Sequence, residues 1–281
     1  MSSHEELIKR IEKLNRGPLK NSPPVPRDQP AKSLNADTPP RSLEVTFEDI
    51  VCGRELCLIS GSTCYEIELP AQEFETQSIH LHRRFMTLAG NHEWSRLSAL
   101  VGSESMEPVG SVFLDIETTG LADTPLFLIG LMECNRDGFH FRQYFARHCC
   151  EESGVIIAAS QRLEQASILF TFNGASFDIP YIRRRAAVSQ VEFSEPRVHI
   201  DLLLEARLRY ARDLPNCRLQ TLEQMICGRF REDDLPSAQI PGAYYEFLET
   251  GNPSHIVRIL RHNLYDLLTM ADLANRMWGR E

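Results

Sequence analysis

The run Val112-Phe113-Leu114-Asp115-Ile116-Glu117-Thr118-Thr119-Gly120 is an apolar strand that closes on two acids and a polar turn. Residues two apart on a strand project to the same face. Asp115 and Glu117 therefore point together, while Ile116 turns to the opposite side. Neighbouring anionic side chains repel unless a cation lies between them, so the pair is a natural seat for a divalent metal. The alternative is an acidic strand end facing water. Val112, Phe113 and Leu114 weigh against it, because they make the strand central and buried, where a carboxylate needs a reason.

Downstream, Leu126–Met132 and Phe139–Phe145 read as strands joined by a hairpin turn at Asn135–Gly138. Glu151–Gln165 reads as a helix and Ile168–Phe172 as a short buried strand. Asp178–Ala187 is a helix that tolerates Pro180 in its first turn, and Val198–Leu202 is a strand. Helices follow near Leu203–Tyr210, Leu219–Gly228, Tyr244–Thr250 and Ser254–Met277. A meander that continues into right-handed βαβ crossovers gives an α/β domain over 109–281, a mixed five-stranded sheet with helices on both faces.

Upstream, residues 43–108 are expected as a small β-rich lead-in, with strands at Leu43–Phe47, Leu56–Ser60 and Tyr65–Leu69. His80 and His82 would share one face of a strand there. With His92 they are expected as surface or boundary histidines, since no third ligand follows at useful spacing. Residues 1–42 hold a short helix, marked by Leu7, Ile11 and Leu14, and then a linker. Seven of the sixteen prolines fall between Gly17 and Pro40 among few apolar residues, which reads as a disordered or polyproline segment.

The net charge of −9 excludes non-specific coating of long duplexes, which calls for a basic protein. It suits a site that gathers carboxylates around cations, where the ions carry the positive charge that meets a phosphate. No run of 18 apolar residues marks a membrane span, and the first 20 residues lack an apolar signal core, so the chain is expected in the cytoplasm. Its eight cysteines are then expected as thiols, and their spacing disfavours a structural zinc site.

Two more acidic motifs follow the first. Asn173-Gly174-Ala175-Ser176-Phe177-Asp178 carries an apolar strand through a glycine turn into a helix start, at the sheet end where open α/β folds place their chemistry. Read alone, Asp178 is a plain helix cap. His262-Asn263-Leu264-Tyr265-Asp266 lies in a long helix and puts His262 and Asp266 on one face, which alone would be an exposed ion pair. The ordered combination of strand, strand-to-helix turn and late helix is what favours a single acidic site.

Asp115-x-Glu117, Asn173 with Phe177-Asp178, and His262-x-x-x-Asp266 resemble the three exonuclease motifs of the DnaQ-like, or DEDD, superfamily. The runs Leu114–Leu121, Thr171–Tyr181, His199–Leu203, Asp233–Pro236, Ile240–Tyr245 and Arg261–Asp266 resemble more closely its YprB-like, ribonuclease-H-like family, over roughly residues 109–275. The resemblance implies a ribonuclease-H-like fold and 3′→5′ hydrolysis of DNA or RNA, at a single strand or a 3′ end. Asp115, Glu117, Asp178 and Asp266 would hold two Mg²⁺ or Mn²⁺ ions about 4 Å apart. The superfamily usually places Tyr four residues, or His five, before the last Asp. Here Arg261 stands five before and His262 four before. His262 would then orient and deprotonate the water as a general base, or the site uses a different arrangement.

Further expectations are local. Thr118, Thr119 and Gly120 could contact a terminal nucleotide, and Leu121 could wedge under its base, although most leucines are core. Asn173 is a substrate or water contact, or simply a turn residue. Asp201 is a helix cap in preference to a support of the site. Arg183, Arg184 and Arg185, with Arg207, Arg209, Arg212 and Arg218, could guide a strand with Tyr181 or Tyr210 stacking on bases, or could form a solvated face.

Overall fold

The computed structural model describes residues 46–58, 61–100, 102, 106–121, 124–232 and 234–279. The expected helix at 4–16, the proline-rich linker and residues 43–45 lie outside them, as does Asp233. Strand β3 (Ser111–Thr118) lies between β4 (Leu126–Cys134), which runs antiparallel to it, and β6 (Ile168–Thr171), which runs parallel. β5 (Phe139–Phe145) follows β4 as a hairpin, and β7 (Val198–Asp201) pairs parallel with β6. Helices of nine or more residues are α1 (Ser78–Met86), α2 (His92–Leu100), α3 (Glu152–Leu163), α4 (Asp178–Val188), α5 (Leu202–Tyr210), α6 (Ile240–Thr250) and α7 (Ser254–Trp278).

Among the described residues the sheet has seven strands, not five. β1 (Arg54–Cys57) and β2 (Thr63–Pro70) form a hairpin that extends the antiparallel wing, giving the order β1-β2-β5-β4-β3-β6-β7. β2 pairs with β5 from Tyr65 opposite Phe145 to Pro70 opposite His140. Arg142 on β5 bridges to Glu66 and Glu68 at 2.6 and 2.7 Å. The local strand signals of residues 54–70 name no partner, whereas β5 would otherwise expose an unpaired edge.

Two other expectations are corrected. Phe47 is not a strand residue. It begins a helical turn, Phe47–Ile50, at whose start Asp49 accepts from the Thr46 backbone and hydroxyl. Residues 78–90 and 92–100 are helical, so His80 and His82 do not share a strand face. His80 is exposed, while His82 is buried, 2.8 Å from the Asn135 carbonyl.

Side-chain alternation on β3 feeds two cores. Val112, Leu114 and Ile116 pack on one face of the sheet with α3, α4, α6 and the first turns of α7. Phe113 packs on the other with α1, α2, α5 and the rest of α7. β4 is buried along its whole length, as befits a central strand. No helix among the described residues is long and apolar enough to cross a membrane. All eight cysteines are free thiols.

Candidate functional site

Asp115 and Glu117 lie on the Phe113 face of β3, opposite Gly130 and Leu128 of β4. One residue later the ladder slips, and Thr118 pairs with Leu126. Such a bulge ends regular pairing and sharpens the local twist, and bulges are frequent beside active sites.

Asp178 opens α4, reached from β6 through a turn that its residues dictate. Asn173 adopts φ 67°, a left-handed conformation that asparagine tolerates. Gly174 has no room for a side chain, since a Cβ would come within 2.4 Å of Thr171. Asp201, at the end of β7, accepts from the amides of Asn173 and Ala175 at 2.8 and 3.1 Å and caps α5 through Leu203 at 3.0 Å. It is therefore both a cap and the brace of the turn that delivers Asp178.

α7 supplies His262, Asn263 and Asp266. Asn263 was not singled out from the sequence, yet it organises the first acid. Fully buried, it donates from Nδ2 to Asp115 Oδ2 at 2.8 Å, and its Oδ1 accepts from Gln143 Nε2 at 2.7 Å. Asp115, Gly130 and Gln143 form one row across β3, β4 and β5. A Cβ on Gly130 would fall 1.9 Å from Asn263 Oδ1, so only glycine lets the amide reach across β4 to Asp115.

A charged network surrounds Asp266. His262 is buried, with Nδ1 2.8 Å from Asp234 Oδ1 and Nε2 3.4 Å from Asp266 Oδ2. Arg231, whose side chain is 4% exposed, donates Nη2 to Asp266 Oδ1 and Nε to Glu223 Oε2 at 2.7 Å. Its Nη1 lies 3.6 Å from Asp234, and its guanidinium sits 5.5 Å from the centre of the Tyr265 ring. Asp234, Arg231 and Glu223 were missed as site residues. Asp234 belongs to the run Asp233–Pro236, but no local pattern says that it meets His262.

Hydrogen bonds hold Thr118, Thr119 and Gly120. Thr118 Oγ1 donates to the Gly120 carbonyl at 2.7 Å, and Thr119 donates its amide and hydroxyl to Pro125 O. The Tyr181 hydroxyl lies 3.2 Å from Gly120 O and 2.7 Å from Thr124 O. Tyr181 is buried and so cannot stack on a base. Leu121 is 85% exposed. Of the arginines, Arg183 pairs with Glu195, Arg185 with Glu152 and Arg209 with Glu205, while Arg207, Arg212 and Arg218 are exposed.

The family described as the RNase_H superfamily matches residues 112–278, from β3 to the end of α7. The chain belongs to the RNase H superfamily. Among curated proteins it is similar to the uncharacterized protein YprB of Bacillus subtilis (strain 168), 29% identical over 187 residues. That match takes in 64% of this chain and 44% of the relative, so the chain spans less than half of that protein's length. Among solved structures it is similar to the family B DNA polymerase from the hyperthermophilic archaeon Pyrobaculum calidifontis, with a TM-score of 0.49 and 15% identity. That likeness covers 59% of this chain and 24% of the polymerase. β1 and β2 precede the stretch shared with the RNase H superfamily.

The candidate ligands of this RNase H superfamily member are all carboxylates, the donor set that a hard cation prefers. Withdrawal from solvent, joined by repulsion from Asp266, Glu117 and Asp178, raises Asp115 well above the usual carboxylate range. Burial pushes Glu117 up to about 8, with Asp266 and Asp178 adding to it and His262 opposing. Burial likewise brings Asp178 to about 7. The site thus holds more latent negative charge than it can ionise unaided, a condition that a cation relieves. Burial works against a charged His262, but its bond to Asp234 and the charges of Asp266 and Glu117 prevail and raise it to about 9. As the side chains stand, no three His, Cys, Asp or Glu groups among the described residues converge closely enough to hold an ion. Asp115 is turned onto Asn263, and Asp266 onto Arg231 and His262. Binding would therefore require carboxylates to turn toward one another.

Proposed function

We propose that the chain is a metal-dependent nuclease that hydrolyses phosphodiester bonds of DNA or RNA as a 3′→5′ exonuclease. One observation carries the reading: β3, the start of α4 and the middle of α7 bring Asp115, Glu117, Asp178 and Asp266 within electrostatic reach of one another, largely out of solvent. Mg²⁺ or Mn²⁺ suits these oxygen donors. When bound, such an ion supplies positive charge against the scissile phosphate and a Lewis acid for water activation. Asn263 holds Asp115 in place, and Asp201 holds the turn that presents Asp178. Asp234 fixes His262 through Nδ1 and leaves Nε2 turned toward Asp266, the arrangement by which a carboxylate orients a proton-carrying imidazole. Thr118, Thr119, Gly120 and Asn173 border the acids as substrate contacts, and the exposed Leu121 is available to lie under a terminal base.

The test is cleavage of end-labelled single-stranded and duplex DNA and RNA with Mg²⁺ or Mn²⁺. A ladder that shortens from the 3′ end is expected. Chelator should abolish it, and Asp115→Ala should slow it by at least roughly a hundredfold. Binding of any of these polymers without metal-dependent loss would favour the second reading, a nucleic-acid-binding domain that has lost turnover. The engagement of Asp266 by Arg231 is what keeps that reading in play.

A further inference from the structure

We propose that the cavity beside Tyr265 holds a single strand of nucleic acid on its way to the acidic site, with the backbone on Arg84, Arg229 and Arg276 and a base on Phe230. The inference rests on the nuclease reading and deepens it. It names the form of the substrate, single-stranded, and a surface that grips it away from the acids.

The cavity, of about 630 Å³, lies where α1, the segment Cys227–Phe230 and one side of α7 meet. Tyr265, Asp272 and Arg276 share that side of α7, being about two and three turns apart. Tyr265 adjoins Asp266, and Arg276 stands about 15 Å further along the helix. The cavity therefore begins beside the acidic site and leads away from it. The run Arg229-Phe230-Arg231 joins the two. Arg231 reaches Asp266, whereas Arg229 and Phe230 line the cavity. Tyr265 is shared as well, its ring centre 5.5 Å from the Arg231 guanidinium and 4.8 Å from the ring of Phe74 in the cavity lining.

The lining suits a phosphate backbone with unpaired bases. Three arginines face two acids, and each acid already has a partner: Glu75 lies 3.4 Å from Arg229, and Asp272 lies 3.0 Å from Arg276. Arg84, exposed on α1, forms no ion pair among the described residues. Arg229 and Arg276 are held in place, the first donating to Thr269 Oγ1 at 3.4 Å and the second to the Cys227 carbonyl at 3.3 Å. A guanidinium carries five N–H groups, so each keeps donors for a phosphate after these bonds. Phe230 is 75% exposed, a ring on which any unpaired base can stack. A duplex, with its bases stacked inside, offers that ring nothing. A chain of net charge −9 needs such local contacts, because bulk attraction does not bring a polyanion to it. α1 precedes the stretch shared with the RNase H superfamily, so one wall of the cavity is supplied by the lead-in.

Fluorescence anisotropy of end-labelled single-stranded DNA and RNA tests this on the full-length chain, at low salt and with chelator so that nothing is cut. Phe230→Ala should weaken binding at least about fivefold. Arg84→Ala should weaken it too, and should lower the slope of log affinity against log salt by about 0.7. Both side chains are exposed, so neither change disturbs the core. Arg83→Ala is the control, because Arg83 is next to Arg84 in sequence but lines a separate cavity with Arg136. It should leave affinity and slope as they are. Duplex of the same sequence should compete poorly. Wild-type binding by Phe230→Ala, or a loss from Arg83→Ala as large as that from Arg84→Ala, would overturn the proposal, as would a wild-type chain that binds neither single strand. Metal-dependent cleavage, measured separately, would leave the nuclease reading standing in each of those cases, and its absence would remove that reading as well.

Discussion

Asn263 joins an acid on β3 to a glutamine on β5 across a glycine on β4, and its burial makes that link costly to break. Asn263→Ala would leave Asp115 and Gln143 each short of a partner. It should cost about 1–3 kcal/mol, lowering the thermal midpoint by roughly 3–10 °C. Gly130→Ala drives a methyl into the same amide and should cost at least as much. The two substitutions share one space, so thermal unfolding of the double variant should show a loss smaller than the sum of the singles. Additive losses would show that Gly130 and Asn263 act separately. At this scale the sequence was legible where chemistry repeats locally. Asp115 and Glu117 follow from strand alternation, Asp178 from a glycine turn, and His262 with Asp266 from helical spacing. Asn263 sat in plain view between the last two, but its value depends on Gly130 and Gln143, far away in the chain. Arg231 was hidden likewise, since nothing beside it in the sequence announces a buried guanidinium facing α7.

The elements differ in how far their sequences foretell them. β3 to β7 and the helices between them announce themselves: β4 and β6, buried throughout, are nearly continuous apolar runs, β5 alternates, and a crossover helix has its own period. The β1–β2 hairpin is equally readable as strands, but an edge pairing depends on a partner remote in sequence, hence seven strands where five were expected. The segment that follows β3 depends on a tertiary contact of the same kind. Tyr181 on α4 reaches it with a hydroxyl that meets Gly120 O and Thr124 O. Tyr181→Phe keeps the packing and removes those bonds, at about 1 kcal/mol. Amide exchange of residues 118–121 should quicken, and KM for a nucleic acid end should rise more than kcat falls. Unchanged exchange there would show that the bulge after Glu117, not Tyr181, sets the segment's rigidity.

For the molecule as a whole, the site makes stability depend on pH in a definite direction. Burial and repulsion raise Glu117 from 4.5 to about 8 and Asp178 from 3.8 to about 7. Between each pair of values the folded chain retains a proton that the unfolded chain has lost, so stability falls as pH climbs through that range. His262 adds to the trend. Raised from 6.5 to about 9, it stabilises the fold fully below its unfolded value and ceases to do so as pH passes 9. The metal-free protein should therefore lose stability steadily from about pH 5 to 9. Glu117→Gln removes one of the strained carboxylates and should stabilise the metal-free chain at pH 8 by about 1–2 kcal/mol, a rise of roughly 2–8 °C, while at pH 5 it should gain little. Mn²⁺ should flatten the wild-type profile, because a bound cation favours the ionised acids and ties stability to ligand concentration. A wild-type thermal midpoint that rises between pH 5 and 8 without metal would mean that Glu117 and Asp178 are already ionised at low pH, and that the site stores no charge for a cation to relieve.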